Sequence, residues 1–202
     1  MPRIWICING ILNRPGDSEG WTDRAVTWLH VRTADKAEKF EYAAGPLTRR
    51  LRQGWRAEAI AKMAGYYLRG GFRLSFIAHS NGAALVERVL PLLGGRDVAS
   101  CHLFAPACVG DVLADAVRSR QIGSLHLYGS ANDRALKLAR ISSRLLGWAG
   151  LGYGDLGIRI KPFAAEVPRT FAHQDDEQGH GTWFARGATF ERTMQRIQIN
   201  DQ

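Results

Sequence analysis

The stretch from Phe72 to Leu90 restricts the fold more than any other part of this chain. An apolar run, Phe72-Arg73-Leu74-Ser75-Phe76-Ile77-Ala78, breaks at His79-Ser80-Asn81-Gly82 into a second apolar run from Ala83 to Leu90. The first has the length and the aromatic and branched residues of a buried strand, and the second has the residue types of a helix. A strand that turns this sharply into a helix sends the chain back across the sheet, which is the connection parallel strands require.

The rest of the sequence repeats the alternation. Strands are expected over Arg3–Ile8, Lys36–Tyr42, Val98–Ala105, Ser124–Tyr128 and Val167–Phe171. Helices are expected from Ser18 to Leu29, over Arg56–Leu68, Asp111–Arg120 and Ala188–Ile199, and from Asp133 to Leu146. The glycine-rich stretch Gly147–Gly157 reads as the most flexible. The expected fold class is α/β, a three-layer sandwich with a mostly parallel central sheet, and 202 residues fit one domain spanning 1–202.

Composition removes several alternatives. No apolar run approaches the roughly 20 residues that span a bilayer. The run Ile4–Ile8 ends at Asn9-Gly10, too short for a signal peptide, so a cytoplasmic location is expected. Cys7, Cys101 and Cys108 lack metal-ligand spacing and read as reduced structural thiols. The net charge of +8 places many cations on helical patterns, Arg49, Arg50, Arg52 and Arg56, then Arg134, Lys137, Arg140 and Arg144. Such faces are usually solvated, with an anionic surface as a possible partner. No nucleic-acid motif accompanies the charge.

The chemistry concentrates around Ser80. A serine in so tight a turn takes strained backbone angles and needs small neighbours, which Ala78 and Gly82 supply. The alternative is an ordinary capped helix start. A serine hydroxyl becomes a nucleophile only when a base takes its proton. Of the histidines after Ser80, His102 and His126 lie mid-strand and read as packed or surface residues. His173 and His180 lie in the loop after the last strand. His180, between Gly179 and Gly181, is the preferred base, with His173 as the alternative. A carboxylate must then hold the histidine's tautomer. Asp133, just after the strand ending at Tyr128, emerges at the same sheet edge as Ser80. Asp111 and Asp155 fit less well, and an N-cap is the competing role for Asp133.

Element order and the pattern Ala78-His79-Ser80-Asn81-Gly82 make the chain similar to a minimal α/β-hydrolase of the lipase and esterase branch. Ala78 replaces the usual first glycine of the motif. The resemblance implies an acyl hydrolase without a cofactor, acting on a small or lipid-like ester or thioester. It implies an oxyanion site from the backbone of Asn81 and of the Asn9-Gly10-Ile11 loop, with Ile11 as second donor and Asn9 where that branch carries His. Asn9, His79, Trp148 and Tyr153 are expected to contact substrate at a shallow, open site. The same three residues suit a peptidase or amidase, and the scaffold alone suits a basic binding module. The cluster His173, Asp175, Asp176, Glu177 and His180 reads as a solvated acidic loop rather than a metal site, since no periodicity aims it at one point.

Overall fold

The computed structural model describes residues 1–10, 20–42, 53–146 and 154–201, leaving aside the side chains of 139 and 142–146. Six strands form one sheet in the order β2-β1-β3-β4-β5-β6: β1 Arg3–Ile8, β2 Lys36–Phe40, β3 Arg73–His79, β4 Val98–Phe104, β5 Ile122–Gly129 and β6 Thr170–Gln174. Every neighbouring pair is parallel, so the sheet is wholly rather than mostly parallel. The helices are α1 Trp21–Thr33, α2 Gln53–Arg69, α3 Asn81–Leu92, α4 Asp111–Arg118, α5 Arg134–Leu146, α6 Ile160–Glu166 and α7 Ala188–Asn200.

Period-2 alternation sorts each strand between two cores. Ile4, Ile6 and Ile8 face one side, packing with Ile60 of α2, Leu85 and Val89 of α3 and Val117 of α4. Trp5 and Cys7 face the other side, with Trp21, Trp28 and Leu29 of α1 and Phe190, Met194 and Ile197 of α7. The result is three layers, helix, sheet, helix. Being buried on both faces, the central strands read as near-continuous apolar runs, which made them legible in the sequence. Cys7, Cys101 and Cys108 are free and buried, and burial pushes all three thiols well above their usual range.

Three expectations change. The last strand is Thr170–Gln174, not Val167–Phe171: Val167 closes α6, its N–H bonded to the Phe163 carbonyl, and its side chain enters the core. The chain then turns at Arg169, φ 53°, before pairing with β5. Helix α6 follows the glycine-rich stretch, in a segment where the sequence reading expected no helix. Arg56 is not on a solvated face; it is buried, its guanidinium 4.5 Å from the Tyr42 ring centre. Arg134, Lys137 and Arg140 are exposed as expected. Arg49, Arg50 and Arg52, and the side chain of Arg144, lie outside the described residues. Among those described, no helix is long and apolar enough to cross a membrane.

Candidate active site

Ser80 stands where β3 ends and α3 begins. Its backbone sits at φ 54°, ψ −120°, a conformation an L-residue holds only when its surroundings enforce it. The enforcement is visible. The Ser80 N–H donates to the Phe104 carbonyl at 2.8 Å, and its own carbonyl accepts from Ala83 and Ala107. Gly82 passes so close to β1 that a Cβ there would lie 2.7 Å from the Ile8 carbonyl oxygen. Gly10 is equally constrained, since a Cβ on it would come within 2.9 Å of the Ser80 Cβ. Gly10, two residues after β1, therefore lies directly beside the serine.

Asp133 follows β5 through a turn in which its N–H donates to the Ser130 carbonyl. Its two oxygens are divided. Oδ1 accepts the Leu136 N–H at 3.0 Å, capping α5, and Oδ2 receives His180 Nδ1 at 2.8 Å. The capping role and the orienting geometry coexist in one carboxylate. Burial pushes the Asp133 carboxyl upward, but the bonds from His180 and Leu136 outweigh it and hold it below its usual range. Being ionised, the carboxylate only accepts, so Nδ1 of His180 donates. Nε2 is then free of a proton in the neutral ring, and accepts the Ser80 hydroxyl at 2.7 Å.

His180 belongs to the loop between β6 and α7. Gly179 and Gly181 on either side of the histidine suggest a flexible loop, but the residues after it anchor it. Phe184 stacks on Trp21 with ring centres 4.0 Å apart, and Trp183 is buried against Phe104. Thr193 of α7 donates its hydroxyl to the Trp183 carbonyl, and Arg24 of α1 donates to that of Phe184. Three side chains from three strand ends, 47 and 100 positions from His180, thus form one hydrogen-bonded array.

The other named residues fall into place around it. His173, expected in the loop, lies within β6 and stacks on Tyr128 at 4.5 Å. His102 and His126 are packed within the sheet, as their mid-strand positions suggested. Asp155 pairs with Arg140 and Arg159, and Asp111 is exposed at the start of α4. Asp175 pairs with Arg196, and Asp176 accepts from Ala131 and Gln174. Asn9 is buried, its amide exchanging long hydrogen bonds with the Tyr42 backbone. His79 packs its ring against His180 and Phe184. Ile11, Trp148 and Tyr153 lie outside the described residues.

One supporting network escaped the sequence reading. The side chain of Asn81, next to the serine, is held at both ends: Oδ1 by Gln53 at 3.1 Å and Nδ2 by the Tyr42 hydroxyl at 2.8 Å. These partners come from the start of α2 and from just after β2, and no local motif marks them.

Neither a family model nor a curated protein matches the sequence. Solved structures do. The chain resembles TT1662 from Thermus thermophilus, with TM-score 0.62 and 14% identity, over 100% of this chain and 90% of that one. A protein described as a predicted CIB-like hydrolase from Thermoplasma acidophilum gives TM-score 0.58 at 14% identity, over 98% and 86% of the two chains. RedJ, the thioesterase of a prodiginine pathway in Streptomyces coelicolor, gives TM-score 0.51 at 12% identity, over 98% and 85%. With the sheet order and the helix layers, these likenesses establish an α/β-hydrolase fold.

Proposed function

From the α/β-hydrolase fold and the array at its carboxyl edge, we propose that this protein is a serine hydrolase of carboxylic esters or thioesters. The observation that carries the reading is the unbroken chain from Ser80 Oγ through His180 to Asp133, with both links at or below 2.8 Å. A thioesterase among the structural neighbours supports an acyl substrate.

Ser80 Oγ attacks the acyl carbon while His180 Nε2 takes its proton. The imidazolium so formed is stabilised by Asp133, which stays ionised and holds the ring's tautomer. Negative charge develops on the former carbonyl oxygen. The N–H of Asn81, at the start of α3 and at the positive end of its dipole, is one donor to it. The second donor comes from Gly10 or Ile11, just after β1, a reading that the close approach of Gly10 to Ser80 supports. As the intermediate collapses, His180 returns the proton to the departing alcohol or thiol. Water then enters by the same route, and the acyl group leaves as the acid. His180 serves as base in both halves of the cycle, first toward Ser80 and then toward that water.

The direct test is intact-mass analysis after treatment with a fluorophosphonate, on the native protein and on Ser80→Ala. One adduct on the native chain, absent from the variant, is the expected result. No adduct on the native chain overturns the proposal.

A further inference from the structure

His79, covalently joined to Ser80, also touches His180. Its Nε2 lies 2.7 Å from the backbone carbonyl oxygen of His180. A carbonyl oxygen only accepts, so the proton is on Nε2 of His79 and that nitrogen is the donor. The ring is wedged in place. It meets the His180 ring at 5.3 Å and the Phe184 ring edge-on at 6.1 Å. On its other side Nδ1 faces Gly10, where an added Cβ would stand 3.2 Å away.

The loop's other bonds explain why this contact matters. Gly179 N–H donates to the Thr182 hydroxyl, which in turn reaches Gln178 and the Gly179 carbonyl. Those bonds close residues 178–182 on themselves, and the loop's anchors at Trp183 and Phe184 lie beyond the base. The His79 donor ties the backbone of the base itself to the residue beside the serine. One peptide link and one hydrogen bond separate the nucleophile's backbone from the backbone of the base.

We propose that His79 is a positioning residue: by donating Nε2–H to the His180 carbonyl, it sets the separation of His180 Nε2 from Ser80 Oγ in the serine hydrolase proposed above. It acts through the backbone of the base and has no part in proton transfer. The inference rests on that functional reading, and the test separates the two.

The variants are His79→Leu, which fills similar space without a donor, and His79→Gln, whose amide nitrogen reaches to about the same place. Fluorophosphonate labelling rates and ester kinetics are measured on both and on the native protein. Misplacing a reacting group by about 1 Å costs on the order of 100-fold. The expectation for His79→Leu is therefore labelling and kcat roughly 10- to 100-fold slower, with KM nearly unchanged. His79→Gln is expected to recover most of the loss. Equal labelling rates for native protein and His79→Leu, or a loss confined to KM, overturn the positioning role. A native protein that does not label at all overturns the hydrolase reading instead. Should the variants fail to fold, long-range 1H–15N correlation on the native protein reads the His79 tautomer directly. Nε2–H is required, and Nδ1–H overturns the proposal.

Discussion

His126 lies flat on His102, ring centres 4.5 Å apart and planes within 4° of parallel. His173 continues the stack at 5.6 Å from His126. Burial, and then the neighbouring rings, hold His102 well below the usual histidine range. Asp201 stands 3.5 Å from His102 Nε2, but it is paired with Arg3 and does not reverse the shift. His126 is lowered to about 4 and His173 is lowered as well, both chiefly by burial.

Stability is therefore expected to fall as pH drops below about 6.5. In the unfolded chain these histidines take up protons near that value, and in the folded chain they do not. The unfolded state gains protons first, so acid favours it. His102, fully buried, adds to this loss across the whole span from pH 7 to pH 5. For His126 the loss levels off once pH passes its folded value of about 4. Urea denaturation at pH 7, 6 and 5 measures the slope, and an unchanged unfolding free energy across that span rules the account out.

Gly82→Ala is expected to destabilise the fold by about 1–3 kcal/mol, the usual cost of forcing a methyl into a packed site. The atom it meets is the Ile8 carbonyl oxygen, which belongs to a central strand and cannot swing away. Gly54, near the start of α2, has nothing among the described residues within 4 Å of a would-be Cβ. Gly54→Ala serves as the control and is expected to be neutral, or stabilising by up to about 1 kcal/mol. Thermal denaturation of the two variants tests the contrast; similar melting temperatures would contradict it.

Asp133→Asn keeps an oxygen available to cap α5 through the Leu136 N–H, so the melting temperature should change little. Its amide nitrogen, turned toward His180, imposes the wrong tautomer on the imidazole. The expected fall in kcat is about 10⁴-fold, the cost of that inversion where a serine-histidine pair does the chemistry. Ester hydrolysis at pH 7 decides it. Near-native kcat would remove Asp133 from the proposed mechanism.

Tyr42→Phe takes away the acceptor of the Asn81 amide beside the nucleophile. Taking one partner from a buried hydrogen bond costs about 1–3 kcal/mol. Some of that cost should appear as lost activity, because the Asn81 backbone is the proposed oxyanion donor. A drop in kcat of roughly 5- to 30-fold with little change in KM is expected, on the scale of 1.4 kcal/mol per tenfold. Steady-state kinetics on a short-chain p-nitrophenyl ester would show it. A change in melting temperature alone would confine Tyr42 to stability.

The sequence by itself determined the parts whose signals are local. Strand β1 falls on Arg3–Ile8 as expected because an apolar run ends at a polar turn, and a strand buried on both faces carries that signature. The Ser80 turn was legible because a strained strand-to-helix corner demands small residues two positions before and two after it, here Ala78 and Gly82. The placing of Asp133 and His180 at one edge followed from strand order, since parallel strands end on the same side.

Tertiary structure alone decided what depends on distant partners. Strand β6 is an edge strand with no fully buried residue, so its position is set by pairing with β5 rather than by its own pattern. Arg56 carries the charge of a surface residue, yet it is buried, with the Tyr42 ring against its guanidinium. The hold of Gln53 and Tyr42 on Asn81 spans 28 and 39 positions, and that of His79 on the His180 backbone spans 101. A short-range pattern records which residues prefer a strand, a turn or a helix. Which side chains then lie within 3 Å of one another is fixed only when the layers close.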